Sequence, residues 1–140
     1  MKDFCIIGSG ISGATIAKAL SKKFSLDVYD KARGAGGRSS NKKLNKNESF
    51  DHGVQYISPK SIQFKSFINN LISKKILKKW TGNHIFLNDN KKEDKNHIKI
   101  IGKKGNNAIS KYLLKDINCN FKREVIKIFN KNNVWEISFL

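Results

Sequence analysis

Three glycines at fixed spacing, in Gly8-Ser9-Gly10-Ile11-Ser12-Gly13, sit between an apolar run and an amphipathic segment, and they narrow the folds open to this 140-residue chain. The first glycine makes a tight exit from a strand. The second lets the backbone approach a pyrophosphate. The third lets the following helix pack close on the sheet, with its N-terminal amides and dipole turned to the phosphates. The flanks suit this reading. Phe4-Cys5-Ile6-Ile7 is a continuous apolar run, as in a buried parallel strand, and Cys5 reads as a small core residue within it. Residues 12–24 then turn helical, with Ile16, Leu20, Ala14 and Ala17 on the dry side and Lys18, Lys22 and Lys23 on the wet one. A second strand, residues 26–30, ends on Asp30, which fits the acceptor for a ribose hydroxyl. Strand, glycine turn, helix and strand make a βαβ unit.

Further along, residues 31–49 are polar and loop-like, and a short strand is expected at 53–57. Pro59 and Ser61 open a helix running to about residue 73, with Ile62, Phe64, Phe67, Ile68, Leu71 and Ile72 as its apolar face. Strands are expected at 76–80, 84–87 and 97–101, a short helix at 107–115, and two closing strands at 123–129 and 134–139 joined by Asn130-Lys131-Asn132-Asn133. Trp80 and Trp135 read as core residues.

A second signature follows the acid: Asp30-Lys31-Ala32-Arg33-Gly34-Ala35-Gly36-Gly37-Arg38. It resembles the FAD proteins of the amine-oxidase and glutathione-reductase type, in which Gly-Gly-Arg comes shortly after the ribose acid. With Asp51-His52-Gly53-Val54-Gln55-Tyr56 it is similar to the renalase-like branch of the FAD-dependent amine oxidase relatives. Trp80 and Ile101-Gly102-Lys103-Lys104-Gly105-Asn106-Asn107-Ala108 stand where that branch has a Trp and a glycine-containing turn, although Lys104 replaces a usual Pro and Asn106 a usual Met.

The resemblance implies FAD as cofactor. The residues matched to it are Gly8, Gly10, Ile11, Ser12, Gly13, Asp30, Lys31, Arg33, Gly36, Gly37, Arg38, Gly53, Gln55, Tyr56 and Val125, the last by a backbone contact to adenine. It also implies that relatives are about twice as long, so the chain reads as an N-terminal half. The expected fold is α/β, a Rossmann-type FAD/NAD(P)-binding parallel sheet with the start of an inserted substrate-binding subdomain. Residues 1–56 would form the FAD-binding unit, 57–105 part of the subdomain, and 106–140 the return to the FAD domain. The function implied is oxidation of a small reduced substrate, an amine or a dihydronicotinamide, by hydride transfer to flavin. A non-catalytic dinucleotide-binding remnant and an NAD(P)-dependent dehydrogenase stay open as alternatives.

Composition excludes some other classes. The net charge of +17 suggests nucleic acid, but Lys, Asn and Ile, which share AT-rich codons, make up 59 of the 140 residues. The lysines are scattered in pairs, with no recognisable nucleic-acid module. Two cysteines make no disulfide framework, and His52, His84 and His97 show no metal-ligand spacing, so no metal is expected. No apolar run nears the roughly 20 residues of a membrane span. A cytoplasmic setting, a small-molecule substrate and no specific nucleic-acid or membrane partner are the expectations, with the oligomeric state open.

Overall fold

The computed structural model describes residues 1–82 and 98–140. Strand β1 (Phe4–Ile7) leads through the glycine turn into helix α1 (Ile11–Leu20), and strand β2 (Leu26–Asp30) returns parallel to β1, with Phe4 opposite Leu26 and Ile7 opposite Tyr29. A 3-10 turn at Gly37–Ser39 then leads into a small hairpin of β3 (Asn41–Lys43) and β4 (Ser49–Asp51). Helix α2 (Ile62–Ser73) follows, capped by Ser61, whose Oγ accepts from the Phe64 amide at 3.2 Å. Strands β5 (Leu77–Lys79) and β6 (Ile100–Gly102) pair antiparallel, and helix α3 is Ala108–Leu113. The chain then adds β7 (Cys119–Phe121), β8 (Val125–Lys131) and β9 (Val134–Phe139).

Strand β7 decides the topology. It lies parallel to β2 on the side away from β1, with Val28 opposite Cys119 and Asp30 opposite Phe121, giving the order β1-β2-β7. That is the 3-2-1 half of a doubly wound sheet, with a long excursion inserted before the third strand. One apolar cluster joins the excursion to the sheet unit. It contains Ala14 and Ala17 of α1, Val28 of β2, Ile68 and Leu71 of α2, Ile100 of β6, and Ile109 and Leu113 of α3.

Two local devices show why the chain turns where it does. The C-terminus of α2 is a Schellman motif: the Ile76 amide reaches the Leu71 carbonyl at 3.0 Å and the Lys75 amide the Ile72 carbonyl at 2.9 Å. Lys75 takes the left-handed position at φ 58°, where glycine is usual. Lys75→Gly is therefore expected to raise stability by about 0.5–1 kcal/mol in a urea titration. Between β8 and β9, Asn132 (φ 51°) and Asn133 (φ 61°) make the left-handed pair of a two-residue hairpin turn, so the Asn-rich stretch closes the hairpin as its sequence indicates.

Several expectations need correction. β1 is not a buried strand: Ile7 is 50% exposed, Phe4 is exposed too, and Cys5 is a surface residue. The reason is that β1 is the sheet edge, and no second strand pairs with it among the described residues. Residues 31–49 hold the β3–β4 hairpin rather than only loop, and 53–57 form no strand, contributing just a bridge between Ile57 and Ile100. In α1 the buried stripe is Ala14 and Ala17, and Ile16 lies off it in solvent. In α2, Ile68 and Leu71 bury fully, whereas Ile62 and Phe64 stay exposed. Trp80 and Trp135 are exposed, Trp135 at 68%, so neither is a core residue. The strand expected at 84–87, residue 97 of that expected at 97–101, and His84 and His97 fall outside the described residues; within 98–101 the strand is shorter, β6 beginning at Ile100.

Candidate dinucleotide site

The first glycine loop and the Gly-Gly-Arg loop meet. Gly10 bridges Gly36 in parallel fashion, and the Gly36 amide donates to the Ser9 carbonyl at 3.1 Å. A Cβ on Gly37 would lie 3.1 Å from Gly10 Cα, so the two loops touch through bare backbone. Gly36, at φ 143°, is a conformation reserved for glycine, and a Cβ there would meet Ser40 and Asn107 at under 3 Å. On the helix side, a Cβ on Gly13 would run into the Gly8 carbonyl oxygen, which is the close helix-on-strand approach that the third glycine permits. At Gly10, by contrast, the nearest atom to an added Cβ is 3.8 Å away. Space therefore stands open at Gly10, in extended backbone, and at Gly8, where φ of 99° calls for glycine; only Gly13 is closed by packing.

The N-terminus of α1 is ready for an anion. Gly10 is its N-cap and provides no side-chain cap, and the first turn, from Ile11 through Gly13, holds no acidic residue. Its leading amides and the positive end of the helix dipole are left for a ligand.

Asp30 ends β2 beside this loop. Its Oδ2 accepts from the Ser9 amide at 2.6 Å and from Ser9 Oγ at 2.5 Å, and its Oδ1 accepts from the Ala32 amide at 2.8 Å. Three of the roughly four lone-pair sites of the carboxylate are thus used. Desolvation pushes its pKa up, but the hydrogen bonds from Ser9 and Ala32, with Lys31 nearby, outweigh it and hold Asp30 below its ordinary value. Ser9 is fully buried and fixes the acid, and it is not among the site residues that the sequence indicates. Its small polar side chain between the first two glycines was the available signal.

The sign of the resulting pH dependence follows from the direction of the shift. A carboxyl with a depressed folded-state pKa stabilises the fold above its unfolded pKa, and that stabilisation is lost as pH falls through the folded value. Stability is expected to hold from neutrality to about pH 5 and to fall below about pH 4. The fall should be smaller in Ser9→Ala, as read from urea midpoints across the acid range.

The other predicted residues divide. Arg33 and Arg38 are exposed, with Arg38 beside the cradle: a shallow cavity of about 520 Å³ is lined by Gly37, Arg38, His52, Gly53 and Val54. The Arg38 carbonyl accepts the Val54 amide at 3.0 Å, and a Cβ on Gly53 would strike that same carbonyl. Lys31 turns to Glu124, with 3.5 Å between Nζ and Oε1. Val125 stands next to Glu124 at the Asp30 end of the sheet, where the Arg123 amide donates to the Asp30 carbonyl at 3.0 Å. Gln55 and Tyr56 lie further along. Tyr56 clusters with Trp80, at 6.1 Å between ring centroids, and with the Lys99 ammonium, at 5.2 Å from its ring.

The residue that organises this second stretch is Asn106. It is 1% exposed; its Nδ2 donates to the Val54 and Gln55 carbonyls at 2.7 and 3.0 Å, and its Oδ1 accepts from the Gly102 amide at 2.9 Å. Its own amide donates to Asp51 Oδ1 at 2.9 Å. Its neighbour Asn107 backs Gly36 and donates to the Ala35 carbonyl at 3.3 Å. No group of three or more His, Cys, Asp or Glu able to hold a metal occurs among the described residues, and no described helix is long and apolar enough to cross a membrane.

Sheet order, glycine turn and strand-end acid define a Rossmann-like dinucleotide-binding fold. Residues 6–71 match the family model described as an NAD(P)-binding Rossmann-like domain. The solved tetracycline destructase Tet(51) is similar over 96% of this chain and 34% of its own, at 20% identity and a TM-score of 0.58, a likeness of fold. A putrescine oxidase double mutant redesigned in its cofactor binding aligns with 60% of this chain and 18% of its own, at 27% identity and a TM-score of 0.45. The wild-type putrescine oxidase bound to putrescine aligns with 66% of this chain and 20% of its own, at 24% identity and a TM-score of 0.45. The chain thus spans about a third of the length of Tet(51) and about a fifth of that of the putrescine oxidases.

Proposed function

We propose that this chain holds FAD, and that it forms the ADP-binding half of a renalase-like flavin oxidoreductase acting on a small reduced substrate, an amine or a dihydronicotinamide. The observation that carries the cofactor reading is the meeting of the uncapped α1 N-terminus with the Gly36-Gly37 loop. A pyrophosphate would rest on the amides from Ile11 to Gly13, against Gly10. The Gly36 and Gly37 backbone would close over it, and Arg38 at the rim would supply positive charge. The remaining lone pair of Asp30 would take one ribose hydroxyl, and the backbone at Val125 would border the adenine. Flavin, when bound, supplies the hydride acceptor. Gln55 and Tyr56, held by Asn106, would border the ring, and residues 57–105 would begin the wall around the substrate.

The family model's description leaves NAD(P) as the competing ligand, with a dehydrogenase as the second reading. The two separate in one experiment. Purified protein is loaded with FAD, dialysed and scanned for flavin absorbance, and NAD+ binding is measured by calorimetry on the same preparation. Retained yellow colour with weaker NAD+ binding is the expected result. Tighter binding of NAD+ than of FAD would overturn the reading.

A further inference from the structure

Behind the loop that Asn107 supports lies a groove that Asn107 also lines. The groove, of about 430 Å³, opens between the end of α2, the turn after β6 and one face of α3. Exposed lysines form its rim: Lys75 from the Schellman turn, Lys103 and Lys104 from the glycine turn, and Lys111 and Lys115 from α3 and its end. Partly buried Ile76, Ala108 and Tyr112 give it an apolar lining. Lys74 adds a sixth ammonium, 2.6 Å from Tyr112 Oη and 5.0 Å from the centroid of its ring.

This arrangement differs from scattered lysine pairs. Residues 108, 111 and 112 share one face of α3, and Lys115 follows in the turn just past its end, so the groove gathers its lysines from neighbouring elements. No carboxylate lines the groove, and none of these six lysines forms an ion pair among the described residues. Like charges gathered without counter-charges create a local positive potential, and apolar walls focus it. The volume lies within the range of small-molecule sites. Lysine acts as a point-charge partner for phosphate, and no arginine is present to dictate the planar geometry of a carboxylate.

We propose that the groove binds a small organic phosphate carrying two or more negative charges on an aromatic or alkyl body. The apolar body would lie on Tyr112 and Ile76, and the phosphate would draw in Lys75, Lys104 and Lys111. The site is separate from the dinucleotide cradle and does not depend on which dinucleotide that cradle holds.

The test is a fluorescence titration with 1-naphthyl phosphate at about 0.15 M salt, where exposed charges are screened beyond about 8 Å. Saturable one-to-one binding is expected, about tenfold weaker for 1-naphthol, which lacks the charge. Lys75→Gln/Lys111→Gln should weaken binding by about tenfold or more, and Lys22→Gln/Lys23→Gln, on α1's far end, by no more than about twofold. Lys75→Gly should bind the probe more weakly while melting no lower than the parent, which separates loss of charge from loss of fold. Two results would each overturn the proposal: no saturable binding, or equal loss in both lysine pairs.

Discussion

Gly13→Ala is expected to unfold this domain at temperatures where Gly10→Ala remains folded, and Gly10→Ala is expected to lose the dinucleotide instead. Both substitutions add one methyl group to the same loop. At Gly13 that methyl would be driven into the Gly8 carbonyl oxygen, with the Gly8 carbonyl carbon at 3.1 Å and Ile6 Cγ2 at 3.4 Å behind it. The obstacle is backbone at the exit of β1, so it cannot rotate away. Helix α1 must lift off the sheet, and the contacts of Ala14 and Ala17 in the core go with it. Overpacking of this kind costs about 3 kcal/mol, which lowers Tm by roughly 10 °C in a domain of this size. At Gly10 the backbone is extended (φ −67°, ψ 180°), a conformation alanine adopts freely, and the added methyl meets only ordinary contacts at 3.8 and 4.0 Å. Exchanging glycine for alanine at an N-cap costs under about 1 kcal/mol. The methyl would, however, occupy the space into which a pyrophosphate must come, and dinucleotide affinity should fall by about 10- to 100-fold. Thermal melts with and without FAD give both answers. A Gly13→Ala protein that melts like the parent would refute the tight helix-on-strand packing, and a Gly10→Ala protein that keeps its flavin would refute the cradle.

What could be read in the sequence was whatever local chemistry dictates. The glycine spacing, the bounds of β2, the Ser61 cap and the Asn-rich hairpin all arise from neighbours within a few residues, and each stands where those residues indicate. Strand β7 escaped because Asn118-Cys119-Asn120-Phe121 has neither an apolar run nor a clean alternation; only its pairing with β2 makes it a strand. The apolar run of β1 points to a two-sided neighbourhood, whereas the described sheet gives it one neighbour, so Phe4 and Ile7 stand exposed. The candidate site divides in the same way. Gly8, Gly10, Gly13, Asp30, Gly36 and Gly37 come together as their order in the chain implies. Ser9 and Asn106 were missed because their work is long-range: one side chain fixes an acid on the next strand, and the other fixes a loop far back in the chain. Hydrogen bonds across such separations leave no periodic trace in a sequence.

Asn106→Leu is the second large effect expected, and it tests whether the Asp51-to-Tyr56 stretch is held from below. Leucine keeps the branched four-atom skeleton of the asparagine side chain, with two moderately larger methyl groups in place of the amide oxygen and nitrogen. What changes is hydrogen bonding. The Val54 and Gln55 carbonyls lose their donor and the Gly102 amide its acceptor, all three around a residue that is almost wholly buried. At about 1 kcal/mol for each bond, and more where a group stays buried without a partner, the loss is about 3–4 kcal/mol. That is a sizeable part of the 5–15 kcal/mol typical of a folded domain. The bond from the Asn106 amide to Asp51 is made by backbone and survives the substitution, so β4 should stay anchored while residues 54–56 come loose. Hydrogen exchange localises this. Amides at 54–57 should lose protection well before those of β1 and β2, and a Gln55 or Tyr56 role at the flavin should weaken with them. Uniform loss of protection across the whole chain would mean that Asn106 supports the core at large. Unchanged protection at 54–57 would mean that the loop is held by something else, such as the bond from the Val54 amide to the Arg38 carbonyl. The local pattern is the one the geometry predicts, because Asn106 reaches that loop and the Gly102 amide through its side chain and Asp51 through its backbone.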